Sequence, residues 1–257
     1  MLDAFFTQMS VTKVERYFDL TPQQKKEFQE NVEKDLQRLR QERLDDIARS
    51  LRGIDKKVAA AKKDDEVLAY AYTTIQKQYN VSSSYLKTSA TKLTKSLRED
   101  QFQTFKDKVE KEISADRNTS VEDKNADLLA RYRKSFKYWI GEMSQEQNQS
   151  LDKFITVHQF PWKEKIDNRQ QILNSFIEAR KDSVKLRRLT EQFMVDYDSL
   201  RTPEYAKAVD QYETQFKNFL NKFWTTLSPA QKKQMHVSLM EQVNELEKLA
   251  RSSSGPL

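Results

Sequence analysis

The chain has 257 residues, of which 37% are hydrophobic and 33% are charged. This composition can supply a sizeable core, and it excludes a membrane-spanning protein and a disordered chain. Glycine and proline are scarce, at 3 and 5 residues, which argues against turn-rich β folds and favours helices. The chain has no cysteine and two histidines, His158 and His236, so disulfides and the common zinc-ligand sets are excluded.

The net charge of +6 arises from 45 basic and 39 acidic residues with interleaved signs, as in Lys34-Asp35. A nucleic-acid-binding protein usually concentrates its cations on one face or arm, because its affinity comes from neutralising consecutive phosphates. We therefore expect no nucleic-acid partner and interpret most charges as a solvated helix surface.

Apolar residues recur at helical spacing along the whole chain, beginning with a long stripe from Phe28 to Val58 that follows Pro22. Ala115 to Ser120 lacks this periodicity, so we place the main internal break there, and Gly141 is expected to end a later helix. The further helices are expected around residues 67–79, 82–97, 102–113, 121–140, 144–158, 162–177, 186–200, 205–224 and 235–249.

The pattern predicts an all-α fold, an elongated bundle of about eight to ten helices. We expect an N-terminal helical half, 1–118, a C-terminal helical half, 119–251, and a flexible tail, 252–257. The sequence leaves open whether the halves form one continuous domain.

A helix-start motif occurs four times: an apolar residue, a glutamine four places on and a large apolar residue eight places on. In three copies a hydroxyl residue can cap the helix and the glutamine can reach back to it, while Pro22 and Pro229 suit the first turn. The second copy has Arg98 at the cap position. The four copies are Leu20, Thr21, Pro22, Gln24 and Phe28; Leu97, Gln101 and Phe105; Met143, Ser144, Gln147 and Leu151; and Leu227, Ser228, Pro229, Gln231 and Met235.

The spacing of the copies pairs the first with the second and the third with the fourth. This pattern is consistent with an internal duplication and equally with repeated use of a common helix cap. We expect helices to begin near Thr21, Ser144 and Ser228, with the flanking apolar residues largely buried.

The Leu20-Thr21-Pro22-Gln23-Gln24 and Leu227-Ser228-Pro229-Ala230-Gln231 copies resemble the LTxxQ signature of Spy and CpxP-type periplasmic proteins, which are helical, ATP-independent chaperones or stress sensors. The chain more closely resembles a family of bacterial lipoproteins of unknown function over nearly all its length. That resemblance also rests on the segments from Arg16 to Asp19, Leu97 to Gln101 and Tyr138 to Gln147, and on Pro161-Trp162 followed by Arg169.

The resemblance implies a periplasmic protein that is lipid-anchored in its full-length precursor. This chain opens with Met1-Leu2-Asp3 and contains no lipid-accepting cysteine. Either Met1 was added to a mature fragment, or Met1 is native and the protein is cytoplasmic. In the first case the membrane contact is through an anchor absent from this chain.

The sequence contains no Gly-rich phosphate loop, HExxH motif or nucleophile elbow. His158 lies on an apolar face, and neighbouring carboxylates such as Asp45-Asp46 point in different directions from a helix. We therefore expect no catalytic residue, metal site or cofactor.

The last third of the chain is rich in aromatic residues at helical spacing. Such stripes are typical of a core, and the alternative is a partly exposed binding surface rimmed by cations. The candidate surface residues are Trp139, Trp162, Tyr197, Tyr212, Trp224, Lys217 and Lys222. The function predicted is non-enzymatic, chaperone-like binding of protein partners or partly folded clients; the alternative is a structural adaptor with one dedicated partner.

Overall fold

The computed structural model describes residues 11–62 and 66–252. The described residues are all-helical, which confirms the predicted fold class, and they contain no strand. Residues 11–17 are helical. The ten α-helices that follow are α1 (Pro22–Ala60), α2 (Val67–Ser83), α3 (Lys87–Ser96), α4 (Glu99–Asn118), α5 (Val121–Ile140), α6 (Gln145–Val157), α7 (Trp162–Ala179), α8 (Ser183–Val195), α9 (Pro203–Trp224) and α10 (Pro229–Ser252).

Several helix ends follow directly from the sequence. The Ser120 hydroxyl accepts a hydrogen bond from the Asp123 backbone N–H at 3.0 Å and caps α5. Gly141 then ends α5 with a φ of 78°, in the left-handed region that glycine adopts without a Cβ penalty. Short 3-10 helices, Ser84–Leu86 and Tyr197–Leu200, lie between α2 and α3 and between α8 and α9.

The chain divides into two compact units that each combine three separate segments. Among the described residues, unit 1 comprises 11–40, 79–118 and 163–206, and unit 2 comprises 41–62, 66–78, 119–162 and 207–252. The expected contiguous halves, 1–118 and 119–251, therefore do not coincide with the compact units. The long helix α1 explains the difference, because its residues 22–40 belong to unit 1 and its residues 41–60 to unit 2.

The two units have different cores. Unit 2 contains one large cluster rich in aromatic residues, in which Phe223, Trp224 and Leu239 are almost completely buried. Unit 1 contains three smaller clusters, centred on Val32, Ile113 and Leu186. Burying one such phenylalanine or leucine side chain contributes about 2–3 kcal/mol, so the aromatic stripe of α9 is a main source of stability in unit 2.

Candidate functional site

The first and second motif copies meet in unit 1 through their glutamines. Gln24 Nε2 donates to Gln101 Oε1 at 3.0 Å, and Gln101 Nε2 donates to Gln24 Oε1 at 2.8 Å. Each amide nitrogen also donates to a carbonyl just before the other motif, Ser96 at 2.7 Å and Asp19 at 2.6 Å. Each glutamine therefore ties its own helix start to that of its partner.

Unit 2 repeats this arrangement with the third and fourth copies. Gln147 Nε2 donates to Gln231 Oε1 at 3.0 Å, and Gln231 Nε2 donates to Gln147 Oε1 at 2.8 Å. The second donor of each amide bonds the carbonyl of Thr226 at 3.1 Å or Glu142 at 2.9 Å. The copies that their spacing groups together, first with second and third with fourth, thus lie in the same compact unit.

The expected capping boxes form in the three copies that carry a hydroxyl residue. Thr21, Ser144 and Ser228 accept hydrogen bonds from the backbone N–H of the glutamine three residues on, at 3.1–3.2 Å. In the second copy, Gln101 Oε1 still accepts from the Arg98 backbone N–H at 3.0 Å, and the hydroxyl half of the box is missing. With two acceptor and two donor bonds, every paired glutamine amide is fully satisfied.

The apolar residues that flank the motifs lie in or against the cores, as predicted. Phe28, Leu151, Leu227 and Met235 are buried. Leu20, Leu97, Phe105 and Met143 are partly buried and pack against the clusters of their units. The motif is thus a helix-joining element.

A cleft of about 530 Å³ lies over the motif pair of unit 2. Its lining includes Met143, Ser144, Gln147, Ser228 and Gln231. The side-chain amides of Gln147 and Gln231 form hydrogen bonds with each other. The role of these two lining residues is therefore structural.

The prediction of an aromatic binding surface is wrong for Trp224 and Tyr212. Trp224 is fully buried and Tyr212 is 6% exposed. Trp224 Nε1 donates to the Lys62 carbonyl at 3.3 Å, and the Lys232 ammonium lies 4.2 Å from its ring centroid. Both aromatic rings face the core of unit 2 because they continue the apolar stripe of α9.

Trp139 and Trp162 are partly buried against the same core. Trp162 Nε1 donates to Asn125 Oδ1 at 2.8 Å, and Trp139 packs edge-on to Tyr138 at a ring-centroid distance of 4.8 Å. On α9, Lys222 is exposed and Lys217 is partly exposed. Trp139 and Trp162 therefore lie at the boundary of the unit 2 core.

Tyr197 is the candidate aromatic residue that faces solvent. It is 40% exposed and packs edge-to-face against Phe193, which is 41% exposed, at a centroid distance of 5.4 Å. Phe193 in turn contacts Phe176 at 5.9 Å. Burial raises the pKa of Tyr197, although the nearby positive charges of Arg201 and Arg169 oppose that effect. We call Phe193 and Tyr197 the aromatic pair.

A charged network in unit 1 was not anticipated from the sequence. Tyr17 Oη donates to Glu112 at 3.0 Å, Arg16 forms an ion pair with Glu112 at 3.2 Å, and Arg169 bonds both Glu112 and Asp116. Burial opposes the charged form of Glu112, but the bonds from Arg169 and Tyr17 outweigh it, and its pKa lies below the usual value. The network joins residues 11–17 to α4 and α7. Arg16, Tyr17 and Arg169 were noted only as parts of separate motifs.

The histidines occupy different surroundings. His158 is partly buried beside Phe154, as expected, and His236 pairs with Asp55 at 2.7 Å. In the described ranges, no group of three or more His, Asp or Glu side chains could hold a metal ion. Nor does any helix of residues 11–62 and 66–252 have the length and apolarity needed to span a membrane.

Comparison with protein families identifies a match over residues 16–206, which contain the charged network, the aromatic pair and the first three motif copies. The chain belongs to the DUF6279 family. DUF6279 is a family of unknown function. The fourth copy, beginning at Leu227, lies beyond the DUF6279 match. No curated protein and no solved structure matches the chain significantly.

Proposed function

We propose that this DUF6279 chain is a non-enzymatic protein-binding domain of the bacterial envelope that transiently holds apolar segments of partly folded proteins. The resemblance of its glutamine motifs to the LTxxQ signature supports the envelope location and the chaperone-like role. The aromatic pair supplies the binding surface in this proposal.

The exposure of the aromatic pair is the observation that carries the proposal. No other phenylalanine of the described residues is as exposed as Phe193. Most of the chain's phenylalanines contribute to a core, whereas Phe193 and Tyr197 present adjacent rings to water at the end of α8. Exposed aromatic rings are favourable contacts for apolar protein segments.

The small size of the aromatic pair favours transient holding over a dedicated interface. Completing the burial of two half-exposed rings contributes only about 2 kcal/mol. A stable protein interface buries at least about 1,000 Å² in total. A surface of this kind suits weak, repeated contacts with many apolar segments, which is the behaviour of a holding chaperone.

An aggregation assay tests the proposal. Light scattering of reduced lactalbumin is followed without nucleotide, with and without an equimolar amount of the full chain. The wild-type protein is expected to suppress the aggregation, and the double variant Phe193→Ser, Tyr197→Ser to lose at least about half of that effect. Tyr79→Ser is the matched control, because Tyr79 is 73% exposed in the same unit.

Two outcomes would contradict the proposal. Wild-type protein in several-fold excess with no effect on aggregation would exclude client holding. An unchanged double variant would exclude the aromatic pair as the site. The envelope location is tested separately by palmitate labelling of the full-length gene product, which should place the label in the membrane fraction; an unlabelled cytoplasmic product would refute it.

A further inference from the structure

Tertiary packing brings two helices of unit 1 that are poor in acidic residues into contact. Helix α3 contains Lys87, Lys92 and Lys95 and no acidic residue. Helix α8 contains three cations and a single carboxylate, Glu191. The helices pack together, and Thr190 Oγ1 donates to Thr94 Oγ1 at 3.3 Å. The charges that are interleaved along the sequence are therefore locally segregated in the fold.

Most of these cations are only weakly compensated. Arg187 lies 3.3 Å from Glu191, and Lys185 lies 3.7 Å from Asp182, whose carboxylate already accepts backbone hydrogen bonds at the start of α8. In the part of the chain that the structure describes, no ion pair joins Lys87, Lys95 or Arg188 to a carboxylate, and all three are exposed. Exposed cations of this kind remain available to an external partner.

Exposed apolar side chains accompany the cations on α8. Val184 is 76% exposed and Val195 is 50% exposed. They are separated by three helical turns and therefore lie on the same side of the helix, with Arg188 between them. We call the exposed side of the two helices the α3–α8 face; it comprises Lys87, Lys95, Val184, Lys185, Arg187, Arg188 and Val195.

We infer that the α3–α8 face binds an acidic protein segment that also carries apolar side chains. The cations complement carboxylates, and Val184 and Val195 provide contacts for the apolar residues. A polypeptide fits better than an anionic bilayer or a nucleic acid, because Glu191 lies on α8 and Glu27 and Glu30 line a cleft with Lys95. These carboxylates would repel a continuous layer of phosphates, whereas a mixed protein segment can place a cation opposite them.

This inference goes beyond the proposed function, because it uses side chains other than the aromatic pair. The α3–α8 face would select acidic segments of a partner protein, and it would do so even if the aromatic pair binds nothing. The K185E/R188E variant leaves Phe193 and Tyr197 intact, so its effects can be distinguished from those of changing the aromatic pair.

Fluorescence anisotropy with a labelled peptide tests the inference. The probe is four repeats of Glu-Glu-Leu-Ala, and its control is the same peptide with lysine in place of glutamate. We expect the wild-type chain to bind the acidic peptide with an affinity that falls as salt rises. Lys185→Glu with Arg188→Glu should raise the Kd about tenfold or more. The double variant Lys134→Glu, Lys153→Glu makes the same charge change at exposed positions of unit 2 and should change the Kd less than about twofold.

Circular dichroism melting checks that each variant folds. If K185E/R188E is unfolded, the double variant Lys87→Glu, Lys95→Glu tests the same surface from α3. It should show the same loss of affinity for the acidic peptide. Three results would each overturn the inference. The unit 2 control variant could lose as much affinity as K185E/R188E, or the wild-type chain could bind the lysine peptide as tightly as the acidic peptide. The third is binding to phosphatidylglycerol vesicles without binding to the acidic peptide.

Discussion

Gln24 and Gln101 bond to each other in both directions although 77 residues separate them in the sequence. Both side chains are buried, at 9% and 1% exposure. Gln147 and Gln231 make the same pair of bonds across 84 residues. One arrangement thus joins two helix starts in each unit, and it gives the recurring glutamine a physical role that its cap alone does not explain.

The glutamine pair should show strong energetic coupling. We expect Gln101→Ala to lower the free energy of unfolding by about 2 kcal/mol, because it leaves the buried amide of Gln24 without its partner. Once one glutamine is absent, removing the second should lower the free energy of unfolding by a smaller amount. The double-mutant cycle should therefore give a coupling energy of about 1 kcal/mol. Urea unfolding of Gln24→Ala, Gln101→Ala and the double variant measures this quantity.

Gln23→Ala is the matched control for this cycle. Gln23 is adjacent and exposed, and its side chain contacts only Glu27 among the described hydrogen bonds. Its replacement should change stability by less than about 0.5 kcal/mol. Additive effects of Gln24→Ala and Gln101→Ala would show that the pair is not a cooperative unit.

The incomplete capping box of the second copy offers a gain of stability. The Gln101 backbone N–H donates to the Arg98 carbonyl at 3.1 Å. Arg98→Ser should offer it the hydroxyl acceptor that the other three copies have and raise Tm by about 2 °C. Arg98→Ala removes the same exposed contact with Asp100 without adding a hydroxyl, and it is the reference. Thermal melts that give the same Tm for the two variants would refute the capping argument.

Local rules predicted most of the fold from the sequence. The apolar stripe, the caps at Ser144 and Ser228 and the glycine stop at Gly141 all depend on neighbouring residues, and the structure confirms them. The interleaved units could not be predicted in this way. A stripe shows which side of α1 is buried, but it does not show that the core changes between Arg40 and Gln41.

The candidate site was harder to predict for the same reason. The sequence made Trp224 and Tyr197 candidates for the same binding surface, yet Trp224 is fully buried and Tyr197 is 40% exposed. The difference depends on which helices pack alongside each residue. The α3–α8 face could not be predicted from the sequence either, because its cations come from segments that are far apart in the sequence.

Trp224 should contribute to stability because it belongs to the core. Trp224→Ala should lower the free energy of unfolding by about 3–5 kcal/mol, the usual cost of deleting a large buried aromatic side chain. Trp139→Ala, at a partly buried position, should cost less. Denaturant unfolding followed by circular dichroism measures both; a Trp224→Ala variant as stable as the wild type would contradict the core assignment.

The Glu112 network should make unit 1 sensitive to acid. Because the folded-state pKa of Glu112 is lowered, its contribution is present above the unfolded pKa of about 4.3 and is lost as pH falls through the folded value. Glu112→Gln should therefore be less stable than the wild type at pH 7. The difference should shrink below about pH 4. Urea midpoints measured at several pH values test this, and a difference independent of pH would show that the Glu112 charge does not stabilise the fold.

Hydrogen–deuterium exchange with and without reduced lactalbumin tests the central claim most directly, because it locates client contact on the folded chain. The account predicts slower exchange in the client-bound sample around Phe193 to Arg201 and near Phe176, and no such protection in the Phe193→Ser, Tyr197→Ser variant. The account would be contradicted if the bound client slowed exchange in unit 2 and left exchange around Phe193 and Tyr197 unchanged.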